Sequence, residues 1–89
     1  MTTRTVSIAS SVGLHARPAA MFVAAATETG LPVTVAKDGG TPVDARSILA
    51  IMALGAKHGE TVTLEATGEG ADGALDGLVE LLSRDLDKE

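Results

Sequence analysis

The sequence predicts an α+β domain in which a four-stranded antiparallel sheet carries three helices on one face, in the order β-α-β-β-α-β-α. Segments whose apolar residues recur at every second position alternate with segments whose apolar residues recur at helical spacing. Glycine, proline and small polar residues separate them. Alternating strands need one covered face and amphipathic helices need something to cover, so the economical packing gathers the helices on one side of an antiparallel sheet. At 89 residues, with no internal repeat, linker or low-complexity tract, the chain reads as one domain over 1–89.

The first strand is "TRTVSI", where Val6 and Ile8 alternate with Thr5 and Ser7. "ASSVG" breaks that pattern. From Ala16, the residues Ala19, Ala20, Val23 and Ala26 recur at helical spacing with Phe22 beside them, and Gly30 followed by Pro32 supplies a stop, so the first helix is expected over 16–28. "LPVTVAK" turns Val33 and Val35 to one face, and "DGG" leads into the short extended piece "TPVD", making a hairpin around Asp38 to Pro42. Ser47 is the expected N-cap of a two-turn helix, "ILAIMAL", with Gly55 just past its end. "ETVTLEATG" sends Val62, Leu64 and Ala66 inward. Over 71–86, Ala71, Ala74, Leu75, Leu78 and Leu82 form one apolar stripe opposite Asp72, Asp76 and Glu80, marking the third helix.

Composition excludes several functions. The apolar fraction of 45% marks a globular chain, and Phe22 is the sole aromatic residue, so bases would find almost no stacking platform. A net charge of -5 argues against a nucleic-acid partner. The absence of cysteine removes disulfides and thiolate metal sites, and neither a secretory signal nor an apolar run of bilayer length is present. The expectation is a soluble cytoplasmic protein with no membrane insertion. All 12 acidic residues lie at or after Glu28, whereas the segment around His15 carries only Arg4 and Arg17 as formal charges. One end of the molecule is therefore expected to welcome an anion that the rest repels.

The chemistry concentrates in "GLHARPAA". With His15 at the entrance of the first helix, the amides of Ala16 and Arg17 point out of a first turn that offers them no carbonyl, and this makes an anion site. Pro18 falls where its missing N–H costs no helical bond, and Gly13 allows the sharp approach of the histidine. Arg17 adds permanently charged planar donors suited to phosphate oxygens. Histidine can itself be a nucleophile with a working pKa near neutrality. The alternatives are a histidine that merely caps the helix and an arginine that is merely solvated; the combination of groups favours the functional reading. No metal site, serine triad or glycine-rich nucleotide loop is present, and no cofactor is expected. His58, in a polar turn, reads as solvated.

"GLHARPAA", the downstream "RSILAIMALGAKHGETVTLEATG" and the element order resemble HPr, the histidine-containing phosphocarrier family of the bacterial phosphoenolpyruvate-dependent sugar phosphotransferase system, over essentially the whole chain. The resemblance implies an open-faced β-sandwich. It also implies that His15 accepts a phosphoryl group on Nδ1 from phospho-enzyme I and passes it to the A component of a sugar-specific enzyme II. Arg17 is then its charge partner, and the Ala16 and Arg17 amides hold the phosphoryl oxygens.

The second helix is apolar nearly all round. Ile51 and Leu54 are expected in the core, leaving Ile48, Leu49 and Met52 as an exposed patch of the kind that marks partner surfaces. The resemblance makes this helix and the start of the first helix the docking face for enzyme I and enzyme II, adding Ala20 and Ala24. It also makes Ser47 a candidate regulatory phosphorylation site for a dedicated serine kinase and phosphatase, beside its role as an N-cap. A monomer is expected, because the only apolar patch already has a use. The rival readings are a related carrier in a nitrogen or regulatory branch, and a small ligand-sensing or interaction module in which His15 only caps.

Overall fold

The computed structural model describes residues 2–9 and 16–84. Four strands, β1 (Thr2–Ser7), β2 (Val33–Lys37), β3 (Val43–Asp44) and β4 (Thr61–Ala66), form one sheet in the order β1-β4-β2-β3, and every neighbouring pair is antiparallel. Three helices, α1 (Ala16–Glu28), α2 (Ile48–Leu54) and α3 (Ala71–Leu82), complete the predicted order.

The register shows how binary patterning sorts the two faces. Val6 lies opposite Val62, Leu64 lies opposite both Arg4 and Val35, and Ala66 lies opposite both Thr2 and Val33. These rows form the helix-bearing face, where Val6, Val33, Val35, Val62, Leu64 and Ala66 are buried. The other face is mostly hydroxyl-bearing: Thr3, Thr5 and Ser7 are exposed, as is Thr61, while Thr34 and Thr63 are half-buried. β-branched threonine fits a pleated surface that faces water.

Onto the apolar face α1 lowers Ala19, Phe22 and Ala26, and α3 lowers Ala71, Leu75, Leu78 and Leu82. Phe22 is the largest of the side chains that α1 buries there. α3 stops at Leu82 rather than running to 86. Ser83 ends it, with its amide donating to the Val79 carbonyl at 2.9 Å and its Oγ to the Glu80 carbonyl at 2.9 Å; residues 85 and 86 lie outside the described residues.

α2 is delimited as its sequence dictates. Ser47 has extended backbone, and its Oγ accepts the Ala50 amide at 3.3 Å. Gly55 closes the helix at φ 68°, donating its amide to the Met52 carbonyl, in a left-handed conformation that a side chain would strain.

Strand direction decides where α1 begins. β1 finishes beside the start of β4 and the end of β2, since Ser7 pairs with Thr61 and Val62 pairs with Lys37. Beyond β1, the Ile8 amide donates to the Glu60 carbonyl, the Gly59 amide to the Ile8 carbonyl, and the Ala9 amide to the Leu82 carbonyl at 3.1 Å. The C-terminus of α3 and the 57–60 turn are thereby tied to the end of the sheet from which the chain passes to α1. α1 is followed by Val33, which pairs with Ala66 at the opposite end. Hence α1 runs back along the sheet, with its N-terminus at the Ser7 end.

Candidate functional site

α1 begins at Ala16 and carries no acidic residue in its first turn. A helix start concentrates amide donors that the helix cannot use and behaves as a partial positive charge. An acid there would occupy it; this sequence leaves the position to alanine, arginine and proline. Arg17 is exposed, while Pro18 is fully buried. The proline pins the first turn into the core with its φ already helical, and the turn presents the arginine to solvent. His15 and Gly13 lie outside the described residues, as does the side chain of Ala16.

The expected anion-welcoming end is narrower than the sequence implied. Arg4 sits on the helix-facing side of β1, and its guanidinium is held by α3: Nε donates to Asp76 Oδ1 at 3.1 Å and Nη2 to Asp72 Oδ1 at 3.3 Å. Arg4 lies opposite Leu64, two residue steps from the Val6–Val62 row, and its charge is spent on tying β1 to α3. It therefore does not serve an anion at the other end. The sequence signal for this pairing was present, since Asp72 and Asp76 stand one helical turn apart, but strand register is needed to bring Arg4 beneath them.

A polar turn supports the end where β1 finishes. Glu60 Oε1 accepts the Lys57 amide at 2.8 Å, and Oε2 lies 3.4 Å from Lys37 Nζ. The Lys57 amide, followed by the Lys37 charge, holds the Glu60 carboxyl below its ordinary range. Sequence reading took "AKHGE" only as a polar turn and missed this clasp between β2 and the start of β4. His58 is exposed there, as expected.

α2 divides its apolar residues as anticipated. Ile51 is wholly buried and Leu54 packs half-buried against the core, whereas Leu49 is 78% exposed, Ile48 39% and Met52 36%. Ala20 and Ala24, four residues apart on α1, are exposed as well. Ile48, Leu49 and Met52 are the large hydrophobic side chains exposed among the described residues. Exposed apolar patches of this kind mark candidate interaction surfaces.

Ser47 is half-buried at the start of α2, next to a local clasp. Asp44 Oδ1 accepts both the Arg46 amide at 2.9 Å and Arg46 Nε at 3.2 Å. The Arg46 amide first, and then its guanidinium, hold the Asp44 carboxyl below its ordinary range. Among the described residues no group of histidine, cysteine or carboxylate side chains could hold a metal ion, and no helix is long and apolar enough to cross a membrane.

Comparison with known proteins places this arrangement. The family model described as the PTS HPr component phosphorylation site matches residues 2–84. The chain is 49% identical over 88 residues to phosphocarrier protein HPr of Streptomyces coelicolor, covering 99% of this chain and 95% of that protein. It is 40% identical to the HPr of Pseudomonas aeruginosa, covering 93% and 92% respectively. A crystal structure of HPr from Thermoanaerobacter tengcongensis superposes with a TM-score of 0.91 at 39% identity, covering 100% of this chain and 99% of that one.

Proposed function

Because this chain belongs to the HPr family of phosphocarriers of the phosphoenolpyruvate-dependent phosphotransferase system, we propose that His15 is the residue that carries its phosphoryl group. The reading is supported above all by the acid-free first turn of α1, with Arg17 exposed and Pro18 anchored beneath it.

In this reading phospho-enzyme I presents its phosphoryl group, and the Nδ1 lone pair of neutral His15 attacks phosphorus. A new N–P bond forms as the bond to the donor breaks, and the donor keeps the electron pair. The product brings roughly two negative charges to the helix start, by analogy with other phosphorylated side chains. The terminus favours them by about 0.3–1 kcal/mol per charge. The Ala16 and Arg17 amides take phosphoryl oxygens, and the Arg17 guanidinium adds planar donors. Gly13 and Pro18 fix the approach and the rigidity of the turn. Stabilisation of this size holds the group without trapping it, so the A component of a sugar-specific enzyme II can take it by the reverse displacement.

The chain acts as a stoichiometric carrier rather than an enzyme: it supplies one nucleophile and turns over only with its partners. Ile48, Leu49 and Met52 with Ala20 and Ala24 form the face that docks enzyme I and enzyme II in turn. Methionine suits such a face because its flexible side chain refits to different partners. With that patch reserved for partners, the protein works as a single-domain cytoplasmic monomer. Ser47 is a second modification site, where a phosphate would add charge beside the apolar docking face and weaken docking on acidic partners.

The test is intact mass after incubation with phosphoenolpyruvate and active enzyme I. The expected result is one acid-labile phosphoryl group, absent from His15→Ala. A variant that still gains an acid-labile group would overturn the assignment.

A further inference from the structure

A groove of about 450 Å³ lies beside α2. The 38–41 turn forms one wall. Val43 of β3 and Ala50, Ala53 and Leu54 of α2 form the aliphatic floor, and Lys37 and Asp38 stand at the rim. The volume falls within the range of small-molecule sites, about 300–1,000 Å³.

Two features suit this groove to a ligand rather than to collapse. Gly39 has φ 76°, and the Gly40 amide donates to the Lys37 carbonyl at 2.8 Å, so the turn is closed on itself. A side chain at Gly39 would meet nothing within 4 Å, whereas one at Gly40 would press on the Lys37 carbonyl at 3.3 Å. The rim also carries one charge of each sign. Lys37 Nζ is steadied by Glu60 at 3.4 Å and retains donors beyond that one contact, while Asp38 is exposed and, among the described residues, no ion pair engages its carboxylate. An aliphatic floor beneath a cation and an anion complements a small molecule bearing both charges and a branched hydrocarbon.

We propose that this groove is a second binding site, separate from the phosphoryl site, and that it takes an aliphatic α-amino acid. The ammonium meets Asp38, the carboxylate meets Lys37, and the side chain covers Val43, Ala50 and Leu54. Ala50 and Leu54 belong to the helix that also presents Leu49 and Met52. Occupancy is therefore sensed by the element that docks partners.

The experiment is an amide NMR titration of the full chain with L-leucine, run beside isovalerate, which lacks the ammonium, and isoamylamine, which lacks the carboxylate. Saturable shifts at Gly39, Gly40, Thr41, Ala50 and Ala53 are expected with leucine, and affinity should fall about tenfold when either charge is missing. Asp38→Asn, at an exposed turn, should weaken leucine by a similar factor while leaving isovalerate binding undiminished. Ala53→Trp should abolish the response by filling the groove, with thermal melting confirming that both variants fold. No saturable shift in the wild-type chain, or leucine binding unchanged in Asp38→Asn and Ala53→Trp, would overturn the proposal.

Discussion

Leu49→Ala separates docking from folding on one short helix. Leu49 is 78% exposed, so little of its surface contributes to the fold. Fully burying a leucine stabilises by about 1.5–3 kcal/mol. Roughly three-quarters of that, about 1–2 kcal/mol, remains for a partner to collect, and truncation forfeits most of it. At 1.4 kcal/mol per factor of ten, this is about a 5- to 30-fold loss of partner affinity. Folding should lose less than about 0.5 kcal/mol, because alanine also has the higher helix propensity. The assay is the KM of enzyme I for this carrier, with thermal melting in parallel. A raised KM with an unmoved Tm is expected. Ile51→Ala, two residues on and wholly buried, should cost the fold about 2–5 kcal/mol. A KM unchanged in Leu49→Ala, or a Tm loss matching that of Ile51→Ala, would refute the division of α2 into a docking side and a core side.

Ser47→Ala removes the cap that accepts the Ala50 amide and should cost about 1 kcal/mol, a drop of roughly 4–8 °C in Tm by calorimetry. Leu75→Ala empties a fully buried site beneath α3 and should cost about 2–5 kcal/mol, measured by urea unfolding. Gly55→Ala forces a side chain into a left-handed C-cap and should cost about 1–2 kcal/mol in the same measurement. Asp44 and Glu60 both sit below their ordinary values of 3.8 and 4.5 when folded, so their stabilisation is complete above those values and lost as pH falls through the lower folded ones. The Asp44→Asn, Glu60→Gln double variant should therefore lose less stability on acidification below 4.5 than the parent does, as read from melts across pH.

Much of this was legible because periodicity and punctuation agreed. Val62, Leu64 and Ala66 alternate without interruption, Ser47 and Gly55 bracket α2 as cap and stop, and Ala16 to Glu28 is bounded by the residues that start and end helices. Arg4 was misjudged because its partners, Asp72 and Asp76, lie 68 and 72 residues away in sequence, and only the pairing of β1 with β4 under α3 brings them together. The Glu60 clasp was missed for a related reason: its backbone half is local, but its Lys37 half crosses from the turn before β4 to β2. The groove beside α2 was illegible because it depends on how far a closed glycine turn stands from a helix, a distance that no residue pattern encodes. The split of α2 was readable from the opposite circumstance, since a two-turn helix that is apolar all round cannot bury every side.

The central claim is that the first turn of α1 holds the phosphoryl group that His15 carries. Amide NMR of the chain before and after phosphorylation by enzyme I tests it most directly, with imidazole nitrogen shifts read on the same sample. The largest amide shifts should fall on Ala16 and Arg17, with phosphorus bonded to Nδ1 of His15 and with Ile51 and Leu75 unmoved. A phosphorylated chain in which Ala16 and Arg17 keep their shifts, or in which the phosphoryl group resides elsewhere, would contradict the account.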